Sequence, residues 1–158
     1  MEHTGPFAHS LETAIALATR LEQALLDETR AIELRDPDEL QRVVAGKQQL
    51  ADQLEEETLR MKQWVEDTGY TFDAQGVERL LERVDPRRDL TPRWDALRGY
   101  VVRCDQLNRT NATLINRDRK RVTLSLRILR GEDPNATTYD PRGQANNGTP
   151  HSRTISRA

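Results

Sequence analysis

The sequence predicts an all-α protein: an elongated antiparallel helical bundle or coiled coil of three long helices plus one short helix, with a disordered C-terminal tail. Apolar residues recur at alternating three- and four-residue spacing, which is the period of one helix face. Asp-Pro and Thr-Pro pairs stand where helices would start. Hydrophobic residues are 35% and charged residues 32% of the 158-residue chain. With a mean hydropathy of -0.81, the chain has enough apolar material for stripes along helices but too little for a thick core.

The first helix is predicted over residues 7–35. One seam of apolar and small residues runs along it, and Glu28 alone interrupts that seam. A repeat of this kind keeps a narrow stripe against a partner helix. The seam consists of Leu11, Ala14, Ala18, Leu21, Leu25 and Ile32.

The second helix begins at the segment D-P-D-E, residues 36–39. Asp36 can accept hydrogen bonds from the free N–H groups of a helix start, Pro37 suits the first helical position, and Glu39 stands where a capping-box acid belongs. Because so short a connection joins it to the first helix, the two are expected to form an antiparallel hairpin. The helix should end near Asp67 with Gly69 as its C-terminal cap. Its inner face is Leu40, Val43, Lys47, Leu50, Leu54, Met61 and Trp64.

A short third helix follows, with Asp73 as its N-cap. Phe72 and Val77 have the spacing of a hydrophobic staple across that start. The buried face is expected to be Val77, Leu80, Leu81 and Val84. Residues 85–92 are predicted to be a loop, and Thr91 with Pro92 repeats the cap-plus-proline start signal.

The last helix is the longest, predicted from Pro92 to about residue 130. One seam along it carries both apolar and polar residues. The apolar members are Trp94, Leu97, Val101, Cys104, Ile115, Val122 and Leu129, and the polar members are Asn108, Asn111, Asp118 and Ser125. Two interpretations stay open: buried asparagines fix the helix register, or the seam is open there and a partner helix or the tail fills the groove.

Two regions follow from this pattern, a helical domain over residues 1–130 and a flexible tail over residues 131–158. The tail is rich in Gly, Pro, Asn and Thr, and its apolar anchors are almost confined to Tyr139 and Ile155. Such a composition cannot bury enough apolar surface to order itself alone.

Charge is divided unevenly along the chain. Residues 1–67 hold 15 acidic and 7 basic side chains, whereas residues 68–130 hold 8 acidic and 14 basic ones. Either the two halves attract one another within the domain, or the basic half faces an acidic partner. The basic run at residues 117–121 would spread around a helix and lacks interleaved aromatic residues, so nucleic-acid binding is not predicted.

The compartment expected is the cytoplasm. Cys104 is the single cysteine, so no intramolecular disulfide can form. The first twenty residues lack the basic start and apolar core of a secretory signal. No apolar run reaches the roughly 18 residues that a membrane span needs, so membrane insertion is not predicted.

The sequence offers no catalytic, metal or cofactor site. His3, His9 and His151 lie near the termini, and none has the E-x-x-H spacing of metal sites in bundles. Cys104 has no second cysteine or nearby histidine, which favours core packing over a nucleophile. The run of glutamates at residues 55–57 is typical of a solvated face. We therefore expect a non-enzymatic interaction protein.

Several motifs of the C-terminal half resemble the FlgN family of flagellar export chaperones. They are W-x-x-L at residues 94–97, C-x-x-LN-x-x-N at residues 104–111 and LI at residues 114–115. L-x-G at residues 129–131 and YDPRGQ at residues 139–144 complete the resemblance. The pattern covers nearly the whole chain but is less specific in the first two helices, where any antiparallel coiled coil would look similar.

The resemblance implies a cytoplasmic chaperone for the hook-filament junction proteins of the bacterial flagellum. Such chaperones shield the C-terminal helical segments of their clients and deliver them to the cytoplasmic domain of the export gate. Tyr139 matches the tail tyrosine presented to that gate, whereas residues 145–158 match no motif. The client-binding residues implied are Ile115, Val122, Leu126, Ile128 and Leu129.

Two rival interpretations remain. The same stripes would suit a coiled-coil adaptor or oligomerisation protein, because a helical seam does not distinguish a copy of itself from a client. A helical-bundle metal oxidase would need inward Glu and His pairs that the sequence lacks.

Overall fold

The computed structural model describes residues 3–129, 138–139 and 145–146; within the last helix, the side chains at 118–119, 121–123 and 125–128 are not described. The described residues form four helices, which confirms the predicted all-α class. They are α1 (Gly5–Glu33), α2 (Pro37–Asp67), α3 (Ala74–Val84) and α4 (Thr91–Leu129). None of the helices described is long and apolar enough to cross a membrane.

Helices α1 and α2 form the predicted antiparallel hairpin. The Asp36 carboxylate accepts a hydrogen bond from the Glu39 N–H at 3.1 Å, and Pro37 occupies the first turn. Helix α1 ends at Glu33, two residues earlier than predicted, because Arg35 turns the chain with a left-handed φ of 53°. At the other end of α2, Gly69 has a φ of 92° just beyond the C-cap Thr68, as the sequence predicted.

Helix α3 starts as its sequence predicts. Asp73 accepts a hydrogen bond from the Gly76 N–H at 2.6 Å, and the staple residues Phe72 and Val77 both pack into the core. Gly76 is required for a steric reason, since a Cβ at this position would lie 2.0 Å from the carbonyl oxygen of Thr71.

The start of α4 differs from the prediction. Thr91 is the first helical residue and not the cap; the capping group is the buried carboxylate of Asp85. This carboxylate accepts hydrogen bonds from the N–H groups of Asp89, Leu90 and Thr91 and from the Thr91 hydroxyl, at 2.8 to 3.0 Å. Burial alone would raise the pKa of Asp85, but these four donors outweigh it and hold the pKa below its ordinary value.

The apolar core of residues 3–113 lies where the N-terminal half of α1, the C-terminal half of α2, α3 and the first turns of α4 meet. Phe7 stacks on Trp64 with ring centroids 5.0 Å apart, and Phe72 meets Trp94 edge-on at 5.9 Å. Further fully buried members of this core are Leu11, Ala14, Ala18, Met61, Val65, Val77 and Leu80.

The predicted solvated run of glutamates is only partly exposed. Glu55 and Glu56 face solvent, but Glu57 is 8% exposed and its Oε2 atom has no hydrogen-bond partner among the described residues. Glu57 lies three residues after Leu54 and four before Met61, so helical periodicity turns it inward despite its charge.

By contacts between residues, the chain divides into two compact units, residues 1–113 and residues 114–158. The predicted domain boundary at residue 130 stays a prediction. In the second unit, β1 (Thr138–Tyr139) and β2 (Ala145–Asn146) pair antiparallel, with Tyr139 opposite Ala145. The rest of the tail predicted to be disordered lies outside the described residues.

Candidate binding surfaces

A buried polar junction, made of Glu28, Lys47 and Asn111, ties the three long helices together within residues 3–113. Glu28 of α1 and Asn111 of α4 are each 1% exposed. Glu28 Oε2 pairs with Lys47 Nζ of α2 at 2.8 Å, and Glu28 Oε1 accepts a hydrogen bond from Asn111 Nδ2 at 2.8 Å. Asn111 Nδ2 also donates to the Leu25 carbonyl at 3.0 Å. The junction fixes the alignment of the three helices, since any slip would leave a buried charge without partners.

These contacts decide between the two interpretations of the asparagines. Asn111 is the buried residue that sets register, and its Oδ1 lies 2.7 Å from the Thr29 hydroxyl. Asn108 is exposed and accepts only a longer hydrogen bond from Lys47 Nζ, at 3.3 Å. The side chains of Asp118 and Ser125, the other polar members of the seam, lie outside the described residues.

Next to the polar junction is an apolar cleft between α1, α2 and α4, which we call the three-helix groove. Its volume is about 370 Å³, and Lys47 and Asn108 close one end. Val101, predicted to be a seam residue, lines this groove and is 47% exposed. The apolar lining residues are Leu21, Leu25, Ala51, Leu54, Val101 and Cys104.

Acidic residues lie in the lining of the three-helix groove or next to lining residues in the sequence. On α2, Asp52 accepts a hydrogen bond from Gln48 at 2.9 Å, and Glu55 is exposed one position after the lining residue Leu54. On α4, Asp105 lines the groove and pairs with Arg109 at 3.1 Å. The same two helices also expose Val44, Leu59 and Val102.

The implied client-binding residues of α4 are only partly described. Ile115 is half-buried, and Leu129 is 81% exposed. The side chains of Val122, Leu126 and Ile128 lie outside the described residues, as does the side chain of Tyr139. One exposed residue was missed: Leu124, 44% exposed, stands off the predicted seam, so the seam spacing gave no signal for it.

The single cysteine of the chain, Cys104, is buried. Burial raises the pKa of the Cys104 thiol, so the protonated, weakly nucleophilic form prevails. Among the residues that the structure describes, no three His, Cys, Asp or Glu side chains lie close enough to hold a metal ion. What these surfaces offer is apolar area bordered by charge, which is suited to binding a helix.

Comparisons with known proteins agree with the sequence resemblance. A family model described as FlgN protein matches residues 1–147. Among solved structures, the chain is similar to a crystal structure of a Pseudomonas aeruginosa protein assigned as a flagella synthesis protein FlgN. The TM-score is 0.67 at 26% identity, and the match covers 80% of this chain and 98% of that one. No curated protein gives a significant sequence match.

Proposed function

Because this chain belongs to the FlgN protein family, we propose that it is a cytoplasmic chaperone of flagellar type III export. It binds the C-terminal helical segments of hook-filament junction proteins, prevents their premature association and delivers them to the export gate. The observation that carries the proposal is the family match over residues 1–147. The similar structure of a protein assigned as a flagella synthesis protein supports it. The proposed role requires no cofactor and no catalysis.

Client segments bind, in this proposal, to the C-terminal part of α4 through Ile115, Val122, Leu126, Ile128 and Leu129. The exposure of Leu129, at 81%, supports the proposal, because this apolar side chain is left in solvent. Burial of such surface stabilises a complex by about 25 cal/mol per Å². The cost of ordering the client segment offsets part of that gain. Moderate affinity results, which suits a carrier that must release its client.

Tyr139 is proposed as the contact to the cytoplasmic domain of the export gate. Its backbone pairs with Ala145 in the two-residue strands β1 and β2, which would hold the tyrosine in a defined local conformation. Client binding and gate binding then use different segments of the chain, so single substitutions should separate them.

A charge placed in the client surface tests the first assignment. Leu126→Asp should weaken binding of a junction-protein C-terminal segment at least about tenfold, because a carboxylate would have to be desolvated in an apolar contact. The measurement is calorimetric titration of the full chain. Leu59→Asp is the matched control, since Leu59 is an exposed leucine of α2 and this variant should bind as the wild type does. Unchanged binding by Leu126→Asp would move the client site elsewhere.

Removal of the tyrosine ring tests the second assignment. Tyr139→Ala should leave the client affinity unchanged in the same titration but lower the amount of junction protein secreted by cells. Tyr139→Phe keeps the ring and shows whether the hydroxyl matters. Loss of client affinity in Tyr139→Ala would contradict the division between client binding and gate binding.

A further inference from the structure

Another cleft lies between α3 and the start of α4, and we call it the α3–α4 cleft. Residues of α3, of the loop that follows it and of the first two turns of α4 line this cleft. Its volume is about 380 Å³, and small-ligand sites in proteins have volumes of about 300–1,000 Å³. The cleft is therefore large enough to hold one side chain of a partner together with its main chain.

The lining of the α3–α4 cleft is acidic, although the part of the sequence that forms it is basic. Residues 68–130 hold 8 acidic and 14 basic side chains. Four carboxylates nevertheless line the cleft against one guanidinium, that of Arg88. Half of the acidic residues of this stretch thus meet in one place. They are Glu78, Glu82, Asp85 and Asp95.

Three of these carboxylates are free to meet a cationic group. Asp85 is not one of them, because it is buried and accepts four hydrogen bonds at the start of α4. Glu78 pairs with Arg98 at 3.9 Å, and both side chains are about half exposed, so this ion pair contributes little. Glu82 and Asp95 are exposed, and no ion pair joins them to another residue of the described range 3–129.

Trp94, which also lines the cleft, carries a buried donor without an acceptor. Its side chain is 8% exposed, and its indole Nε1 has no hydrogen-bond partner among the described residues. A buried indole N–H usually has an acceptor. The aromatic neighbours of Trp94, Phe7 and Phe72, have no side-chain acceptor to offer. An occupant of the cleft that brings a carbonyl oxygen would satisfy this donor.

We propose that the α3–α4 cleft binds an arginine residue within a segment of a partner protein. The guanidinium pairs with the carboxylates of Glu82 and Asp95, for which its planar set of N–H donors is suited. A main-chain carbonyl of the same segment accepts the hydrogen bond from Trp94 Nε1. A cation without a carbonyl would leave the indole donor unsatisfied, and an anion would be repelled by the carboxylates. A basic residue of a peptide chain meets both requirements.

The contact uses residues other than those assigned to client binding. Its lining lies within residues 78–95, whereas the proposed client surface lies within residues 115–129. The test below needs no client, so its failure and the failure of the chaperone proposal are separate results.

Nuclear magnetic resonance of the full chain labelled with ¹⁵N tests the site. The chain has two tryptophans, Trp64 and Trp94, and therefore two indole N–H signals, which the variant Trp64→Phe assigns. N-acetyl-arginine amide carries the guanidinium and the carbonyl groups of a peptide. It should shift the Trp94 signal saturably and leave the Trp64 signal in place. N-acetyl-citrulline amide has nearly the same shape without the charge and should cause no saturable shift.

Removal of two carboxylates from the cleft provides the mutational test. Glu82→Gln with Asp95→Asn should weaken binding of N-acetyl-arginine amide about three- to tenfold, since each exposed ion pair contributes modestly. Glu12→Gln with Glu56→Gln is the control, because these exposed carboxylates do not line the cleft, and it should bind as the wild type does. The same spectra show whether each variant is folded.

Three results would overturn the proposal. They are a Trp94 signal that does not move, an equal shift with the citrulline compound, and undiminished binding of the arginine compound by the folded Glu82→Gln, Asp95→Asn variant.

Discussion

Asn111→Ala should be one of the most destabilising substitutions of a polar residue in this chain. Asn111 is 1% exposed, and its amide nitrogen donates both to Glu28 Oε1 and to the Leu25 carbonyl of α1. The substitution leaves Glu28 buried with Lys47 as its remaining partner. The loss therefore falls on a charge that cannot reach water.

The magnitude follows from the bonds lost. A hydrogen bond to a buried charged group contributes about 1.5–3 kcal/mol, and one between neutral groups contributes about 1 kcal/mol. The structure can relax around Glu28, and the cavity left by the shorter alanine side chain is small. Both effects keep the loss of stability from growing further. We expect the free energy of unfolding to fall by about 2–4 kcal/mol, which corresponds to a decrease in Tm of roughly 5–15 °C for a chain of this size.

Urea denaturation followed by circular dichroism measures the change directly. Asn108→Ala is the matched control, one helical turn earlier on α4, because Asn108 is exposed and makes one weak contact. It should change stability by no more than about 0.5 kcal/mol. Equal losses for the two variants, or an Asn111→Ala loss below about 0.5 kcal/mol, would refute the view that the polar junction fixes the three helices.

Two further predictions concern buried carboxylates. Glu57→Leu should raise the free energy of unfolding by about 1 kcal/mol, because it removes a buried oxygen, Oε2, that has no partner among the described residues. The ion pair lost between Oε1 and the exposed Arg60 contributes less than this. Glu56→Leu at an exposed position is the control. A destabilised Glu57→Leu would show that the ion pair with Arg60 outweighs the cost of burying Oε2. Asp85→Asn should lower stability at pH 7 by about 1–3 kcal/mol. Since the folded pKa of Asp85 lies below its ordinary 3.8, the wild-type advantage is present above that value and should shrink as the pH falls below it. An advantage that is constant from pH 7 to pH 3 would contradict the capping role.

Local signals in the sequence predicted most of the helical framework. Asp36 and Asp73 each accept a hydrogen bond from the N–H group three residues later in the chain. A short sequence motif therefore contains both partners of each cap. The Asp85 cap reaches donors four to six residues away across a loop, and no helix-start motif encodes that geometry. Thr91 was therefore wrongly predicted as the cap.

The candidate surfaces depended on contacts distant in sequence. Glu28 could be recognised as an interruption of the α1 seam, but its partners lie on other helices, 19 residues away at Lys47 and 83 residues away at Asn111. The three-helix groove combines lining residues of three helices, and among them Val101, a predicted seam residue, is 47% exposed. Which residues of the three helices face one another is set by helix alignment, and the sequence pattern alone left that alignment open.

The chaperone account is tested most directly by calorimetric titration of the full chain with the C-terminal segments of hook-filament junction proteins. The account predicts saturable binding at one client segment per chain. Heats equal to those of buffer dilution, from protein confirmed as folded by circular dichroism, would contradict it and favour a helical adaptor without a client.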